Sequence, residues 1–276
     1  MADDGLLYVA RAGTIGFKAA ASPVVVAALF VPNKLNKTTT DSVVEVFARV
    51  AAQPFAVMDW GRLCQKVFAR PFLSLPQPSA RDREVDSSDV SQQLIEQVLG
   101  TLSKCSDARL LACVAWPHDL LTTFRDIQKQ PDASAREPLV WKHAMHMVLQ
   151  RAHMCLNDRD LFCSVIVDHD NTPVRPALFE LLKAPGYDRY ITYRKFVETL
   201  AFTERQWSPL LQCAHLLAEL LLVSVREDGG RTELLNLING LWHRGPDGEI
   251  VQAGLIALPK TPNLISNLTN ISKQWT

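Results

Sequence analysis

The chain has 276 residues, of which 47% are hydrophobic and 21% charged, so it is long and apolar enough to bury a globular core. Its 29 Lys and Arg residues balance its 29 Asp and Glu residues, so no overall field attracts nucleic acid or an anionic membrane. No run of about 18 uninterrupted apolar residues predicts a membrane span. The six cysteines form no C-x-x-C pair and lie mostly among apolar residues, which indicates buried thiols. The N-terminus lacks the basic and apolar regions of a signal peptide, so we expect a soluble cytoplasmic protein.

Two apolar segments open the chain and are separated by a turn that contains Gly13 and Gly16. Residues 6–9 and 22–31 are rich in β-branched side chains, which predicts a pair of strands. Residues 24–31 are almost continuously apolar, as is typical of a central strand that is covered on both faces.

Strands and helices then alternate along the chain. We predict further strands at residues 109–116, 162–167 and 195–202, and expect a polar turn at 33–40 and a linker at 129–138. The predicted helices cover residues 42–53, 59–69, 87–102, 139–156, 174–183, 208–227 and 233–241, and a further helix opens at 117–119. This alternation predicts an α/β layer fold. We expect one domain over residues 1–260, with a Pro-rich insertion near 71–86 and a loosely ordered tail over 261–276.

Several short motifs occur in a recognisable order. They are Tyr8-Val-Ala-Arg-Ala-Gly13, Phe30-Val-Pro32, residues 143–151, Val165-Ile-Val-Asp168 and residues 211–219. In this order the chain resembles an uncharacterised bacterial family of RNase H-like domains over roughly residues 6–225. The resemblance implies a mixed sheet of about five strands flanked by helices, and a relationship to nucleases.

The resemblance also implies a metal site from which this sequence departs. RNase H-like nucleases hold two divalent ions about 4 Å apart, and Mg²⁺ prefers carboxylate ligands. Ala10 and Arg11 stand where the family has two acids, and His215 stands where its helix has an Asp, whereas Asp168 is present as expected. A methyl group cannot bind a cation, and Arg11 brings a positive charge. We therefore expect impaired catalysis, either by natural loss or by an inactivating substitution at Ala10.

The remnant catalytic site would consist of Asp168, Asp170 and Glu219, and the candidate ligands for Mg²⁺ or Mn²⁺ are Asp168 and His215. His215 and Glu219 are four residues apart and share a helix face, which also fits a buried hydrogen-bonded pair. Asp168 and Asp170 could equally cap the next helix. Three further histidines, which we interpret as a solvated or interface stripe, share one side of a helix: His143, His146 and His153.

The leading functional hypothesis is an RNase H-like protein that acts by binding nucleic acid, a partner protein or a second copy of itself. Arg11 and Lys18 would then contact phosphates. One alternative is an active metal-dependent phosphodiesterase that uses Asp168, Asp170, His215 and Glu219. Another is a structural subunit of a defence or toxin-type complex. The sequence contains neither a G-x-S-x-G elbow nor a P-loop.

Overall fold

A computed structural model describes residues 4–18, 21–50, 87–168, 176, 195–196, 200–204, 207–226 and 232–275. Its strands are β1 (Gly5–Ala12), β2 (Val24–Pro32), β3 (Arg109–Ala115), β4 (Cys163–Asp168), β5 (Ala201–Thr203) and β6 (Leu255–Leu258). Its α-helices are α1 (Asn33–Val50), α2 (Ser87–Ser103), α3 (Pro117–Thr123), α4 (Arg125–Gln128), α5 (Ala133–Asn157), α6 (Pro209–Arg226), α7 (Thr232–Leu237) and α8 (Pro262–Ser272). Short 3₁₀ helices lie at Asn239–Leu241 and Lys273–Trp275.

The six strands form one mixed sheet in the order β5-β4-β1-β2-β3-β6. Strands β1, β2 and β3 are antiparallel neighbours. Strand β4 runs parallel to β1, β5 runs parallel to β4, and β6 runs parallel to β3 at the opposite edge. The predicted α/β architecture with a helix-flanked mixed sheet is confirmed, with one strand more than the expected five or so.

The sheet separates two hydrophobic cores. On one face, which we call the α6 face, Tyr8, Ala10 and Ala12 of β1 pack with residues of α1, α2 and α6. On the other, the α5 face, Leu7 and Val9 pack with residues of α5. Every residue of β2 is buried, which agrees with its apolar sequence and its central position.

Two helices begin earlier than the sequence predicts. Helix α1 starts at Asn33, directly after β2, where we expected a polar turn, and Asn36 in its first turn donates a 2.9 Å hydrogen bond to the hydroxyl of Tyr8. Helix α5 starts at Ala133, inside the expected linker. Asp132 caps it by accepting a 2.9 Å hydrogen bond from the backbone N–H of Ala135, and Pro138 is accommodated within the helix.

The C-terminal segment is ordered by packing, which differs from the loosely ordered tail expected after residue 260. Thr261 caps α8 by accepting a hydrogen bond from the N–H of Leu264. Leu268 and Ile271 are buried, and the buried ring of Trp275 stacks on Trp242 with 5.9 Å between centroids. Aromatic stacking between distant parts of the chain is not visible as a local pattern, which explains why the sequence reading missed it.

Helix α6 has the length and apolar composition of a membrane span, and it is the one such helix in the part of the chain that the structure describes. Most of this helix is buried between the sheet and the neighbouring helices. That burial is compatible with the soluble protein that we expected. The predicted helices at 59–69 and 174–183 and the Pro-rich insertion near 71–86 fall on, or almost wholly on, residues outside those described.

Gly13 follows β1 in the left-handed region, with a φ of 96°, and its Cα faces packed atoms. A Cβ there would lie 3.2 Å from both Leu222 and Val24, whereas a Cβ at Gly248, with a φ of 79°, would meet nothing within 4 Å. We expect Gly248→Ala to lower the free energy of unfolding by about 1 kcal/mol. Gly13→Ala should cost about 2–3 kcal/mol because it adds a steric contact to the backbone strain. Urea denaturation of both variants would measure the difference, and equal losses would contradict it.

Candidate functional site

A polar cavity of about 260 Å³ lies at the carboxyl ends of β1 and β4. The two strands are parallel, with Val9 opposite Val167, so Ala10 is the next residue in register beside Asp168. Residues of β1, the following turn, α5, β4 and α6 line the cavity: Arg11, Ala12, Gly13, Thr14, Ile15, Glu137, Trp141, Asp168, His215 and Glu219.

The cavity brings together most of the site residues that the sequence predicts. Asp168, His215, Glu219 and Arg11 all line it. Lys18 is exposed in the turn between β1 and β2 and does not line the cavity. Asp170 lies outside the described residues.

Ala10 is close to the site but is part of the core. Its side chain lies on the α6 face, is 1% exposed and does not line the cavity. Across the sheet it pairs with Ala27 of β2. A carboxylate at position 10 would therefore lie beneath the cavity and beside Asp168, in apolar surroundings.

Arg11 occupies the cavity from the α5 face, because side chains alternate along β1 and Ala10 points the other way. Its guanidinium carbon lies 4.7 Å from the centroid of the Trp141 ring, which is a cation–π arrangement. The Trp141 indole N–H in turn donates a 3.4 Å hydrogen bond to Glu137. Helix α5 thus fixes the cation and places a carboxylate near it.

His215 and Glu219 lie one turn apart on α6, as their spacing predicts. The His215 Nε2 and Glu219 Oε1 atoms are 3.6 Å apart, and the side chains are 10% and 12% exposed. This separation is too long for a direct hydrogen bond and short enough for an ion pair when His215 is protonated. The two side chains therefore line the α6 side of the cavity as a unit.

Glu137 and Trp141 are the cavity residues that the sequence reading missed. Their four-residue spacing places them on one face of α5. Residues 129–138 were interpreted as a linker because they contain two prolines and several polar side chains. The signal that could have identified Glu137 was the Asp132 cap, which starts the helix before Pro138.

The cavity is acidic in formal charge. One arginine faces three carboxylates, those of Glu137, Asp168 and Glu219, with His215 beside them. Among the described residues, no group of three or more His, Cys, Asp or Glu side chains is arranged to hold a metal ion. Asp168 and His215 therefore remain a predicted pair of ligands rather than a formed metal centre.

The histidines of α5 serve packing instead. His143 and His146 are buried, so they do not form the solvated stripe that was one of the two interpretations of these histidines. His143 Nε2 lies 2.8 Å from a carboxylate oxygen of Asp126, and its ring contacts Phe124 at a centroid distance of 4.3 Å. These contacts attach α4 to α5.

A scan against protein-family models finds no match for this chain, and searches of the curated proteins and of the solved structures find no match either. The resemblance to RNase H-like domains thus stays a prediction. The inferences that follow depend on the residues and on their geometry.

Burial lowers the pKa of His143 from its ordinary value of 6.5, and Asp126 partly offsets this effect. The unfolded chain therefore takes up this proton at a higher pH than the folded protein does. The contribution of neutral His143 to stability is present above pH 6.5 and is lost as the pH falls below it. NMR titration of the imidazole should give a pKa below 6.5, and Asp126→Asn should lower that pKa further. A rise in the pKa of His143 in the Asp126 variant would disprove this assignment.

Proposed function

We propose that this protein is a nuclease-related, RNase H-like binding protein that does not carry out metal-dependent hydrolysis in this form. Its β1–β4 cavity receives a basic side chain of a partner protein. The proposal combines the order of the strands, the position of Arg11 and the balance of charges around the cavity.

The order of the strands supports the RNase H-like part of the proposal. Three antiparallel strands, β1 to β3, are followed by β4 and β5, which run parallel to β1 on its other side. This arrangement is similar to that of RNase H-like domains. Asp168 ends the strand beside β1, where the resemblance implies a site acid.

The position of Arg11 carries the proposal that hydrolysis is lost. Its guanidinium is held over Trp141 at the cavity that contains Asp168. A fixed cation there offsets part of the negative charge that would otherwise attract a divalent ion. Ala10 offers no ligand in its place.

The charges around the cavity favour a basic ligand over a phosphate. Three carboxylates outnumber the single arginine, so a phosphate is repelled and a lysine or arginine side chain is attracted. At about 260 Å³ the cavity is smaller than most small-molecule sites, and it suits a single side chain. Lys18, the second predicted phosphate contact, lies away from the cavity lining.

An active phosphodiesterase is the second candidate, because Asp168 and Glu219 reach the same cavity. Mg²⁺ can be held by one or two carboxylates together with phosphates of the substrate. Under this alternative His215 and Asp170 would complete the site, and Arg11 would contact the scissile phosphate.

Cleavage of labelled single-stranded and duplex oligonucleotides in Mn²⁺ separates the two candidates. We expect no Mn²⁺-dependent cleavage by the unsubstituted chain. Cleavage that Asp168→Asn abolishes would show that the enzyme is active and would end the proposal.

Ala10→Asp tests whether a metal site can be rebuilt. The substitution buries a carboxylate, and we expect it to lower the free energy of unfolding by about 3 kcal/mol. If Asp168 lies beside it as described, Mn²⁺ should restore part of this loss, as thermal unfolding with and without the ion would show. Ala27→Asp is the matched control, since Ala27 is equally buried and lies on the side of β1 away from β4. An equal effect of Mn²⁺ on both variants would contradict the placement of the site.

The proposed ligand class is tested with a labelled oligoarginine peptide and a labelled oligonucleotide, by fluorescence anisotropy. We expect the peptide to bind, and Asp168→Asn combined with Glu219→Gln to weaken it roughly fivefold or more. Binding should weaken with added salt. Asp41→Asn, which neutralises an exposed carboxylate on α1, is the matched control and should change little. Oligonucleotide binding that is tighter than peptide binding and that the Asp168→Asn, Glu219→Gln variant changes would reverse the ligand assignment.

A further inference from the structure

A second cavity, of about 580 Å³, lies at the end of the sheet opposite the β1–β4 cavity. It is formed by the last turns of α5 and by the segment between the 3₁₀ helix Asn239–Leu241 and β6. The backbone N–H of His243 donates a 3.1 Å hydrogen bond to the carbonyl of Leu110, at the beginning of β3. Leu110 pairs with Leu29, near the end of β2, and β2 is antiparallel to β1. The second cavity therefore lies where β1 begins, whereas the first cavity adjoins the end of β1. We call it the basic cavity, after Arg151, His243 and Arg244 in its lining.

Cations are concentrated around His243, which is partly buried. Burial lowers the pKa of His243, and the nearby Arg159, Arg109 and Arg151 lower it further, while Asp158 opposes them. The arginines come from the start of β3 and from α5 and the turn after it. Three guanidinium groups therefore disfavour the protonated form of this one imidazole.

Arg151 is partly buried without a strong acceptor. Its Nη1 contacts the sulfur of Met154 at 3.4 Å, and a thioether is a weak acceptor. Among the described residues no carboxylate forms an ion pair with it. The carbonyls at the end of α5 are already used, since Met154 and Leu156 accept backbone hydrogen bonds of 3.0 and 2.9 Å from Asp158 and Leu161.

The acids of the cavity lie at its rim. Asp158, Asp247 and Glu249 line the opening and are exposed, whereas Arg151 and His243 are partly buried. Water and salt weaken the field of an exposed charge more than that of a buried one. Arg244 holds the rim in shape by donating a 2.8 Å hydrogen bond to the carbonyl of Gly248. The interior of the cavity is therefore cationic, although acidic side chains lie at its rim.

We propose that the basic cavity binds a phosphate group, with Arg151 as its main contact and His243 as a second. A guanidinium presents two parallel N–H donors, which match two oxygens of a phosphate. A dianion would compensate the partly buried charge of Arg151. It would also favour the protonated form of His243, which Arg109, Arg151 and Arg159 disfavour in the absence of an anion. This site is separate from the β1–β4 cavity and does not depend on the function proposed for it.

The phosphate could come from a small molecule or from a nucleic acid, because both present the same group. The volume of about 580 Å³ lies in the range typical of small-molecule sites. Inorganic phosphate, adenosine monophosphate and a single-stranded oligonucleotide are therefore the three probes. Tighter binding of inorganic phosphate or adenosine monophosphate identifies a small phosphate compound as the ligand. Tighter binding of the oligonucleotide identifies a nucleic-acid strand. Either outcome supports a phosphate site if the binding depends on Arg151.

The experiment is isothermal titration calorimetry of the full chain with each probe at low ionic strength. We expect saturable binding that Arg151→Gln weakens roughly tenfold or more, and that Arg151→Lys, which keeps the charge but not the paired donors, weakens less. Arg125→Gln is the matched control, because Arg125 is exposed on α4 and does not line the cavity. Circular dichroism and thermal unfolding establish that each variant is folded.

A titration with sulfate tests His243 separately, because sulfate keeps a constant charge near neutral pH. Binding should be tighter at pH 5.5 than at pH 8, since the anion favours protonated His243, and His243→Gln should remove this difference while retaining binding. If Arg151→Gln fails to fold, Arg151→Lys and His243→Gln still test whether the anion binds in the basic cavity. Absence of saturable binding to the natural chain, unchanged affinity in the Arg151 variants, or an equal loss in Arg125→Gln would overturn the proposal.

Discussion

The parallel pairing of β1 with β4 is the constraint on which the candidate site depends. With Val9 opposite Val167, the strands end side by side, and their last side chains meet helices on both faces of the sheet. Because side chains alternate along a strand, Ala10 points to α6 and Arg11 points to α5. A shift of one residue in this register would exchange the two, and would bury the guanidinium in the α6 core. The apolar alternation of β1 therefore fixes the position of Arg11 as well as the stability of the sheet.

The cation of Arg11 is held by the protein rather than supplied from solution. Trp141 supports it from α5, and Asp168 of β4 lines the same cavity. A divalent ion would need its ligands to converge, whereas a guanidinium needs only a ring face and nearby carboxylates. Under the function that we propose, this difference allows one cavity to keep acids that resemble a metal site and to recognise a charged side chain instead.

Local patterns predicted the parts of the fold whose stability comes from continuous apolar segments. The strand predicted at 22–31 and the helix predicted at 208–227 correspond to β2 and α6 within two residues at either end, because nearly every side chain there is buried. Strand β6 was missed because four residues at a sheet edge, surrounded by turns, carry too little pattern. Glu137 was missed with the start of α5, and Trp275 was missed because its partner is distant in sequence. Register and long-range stacking are set by tertiary packing, which no local window contains.

The balanced net charge of the chain conceals a separation of charge in the fold. Acids dominate the cavity at the end of β1, and cations dominate the interior of the basic cavity near the start of β3. Helix α5 reaches both, with Glu137 near its beginning and Arg151 near its end, fourteen residues and about 21 Å apart at 1.5 Å per residue. That separation exceeds the Debye length of about 8 Å at physiological salt, so neither cavity neutralises the other. Each cavity can therefore attract a ligand of opposite charge, and the net charge of zero is compatible with both proposed ligands.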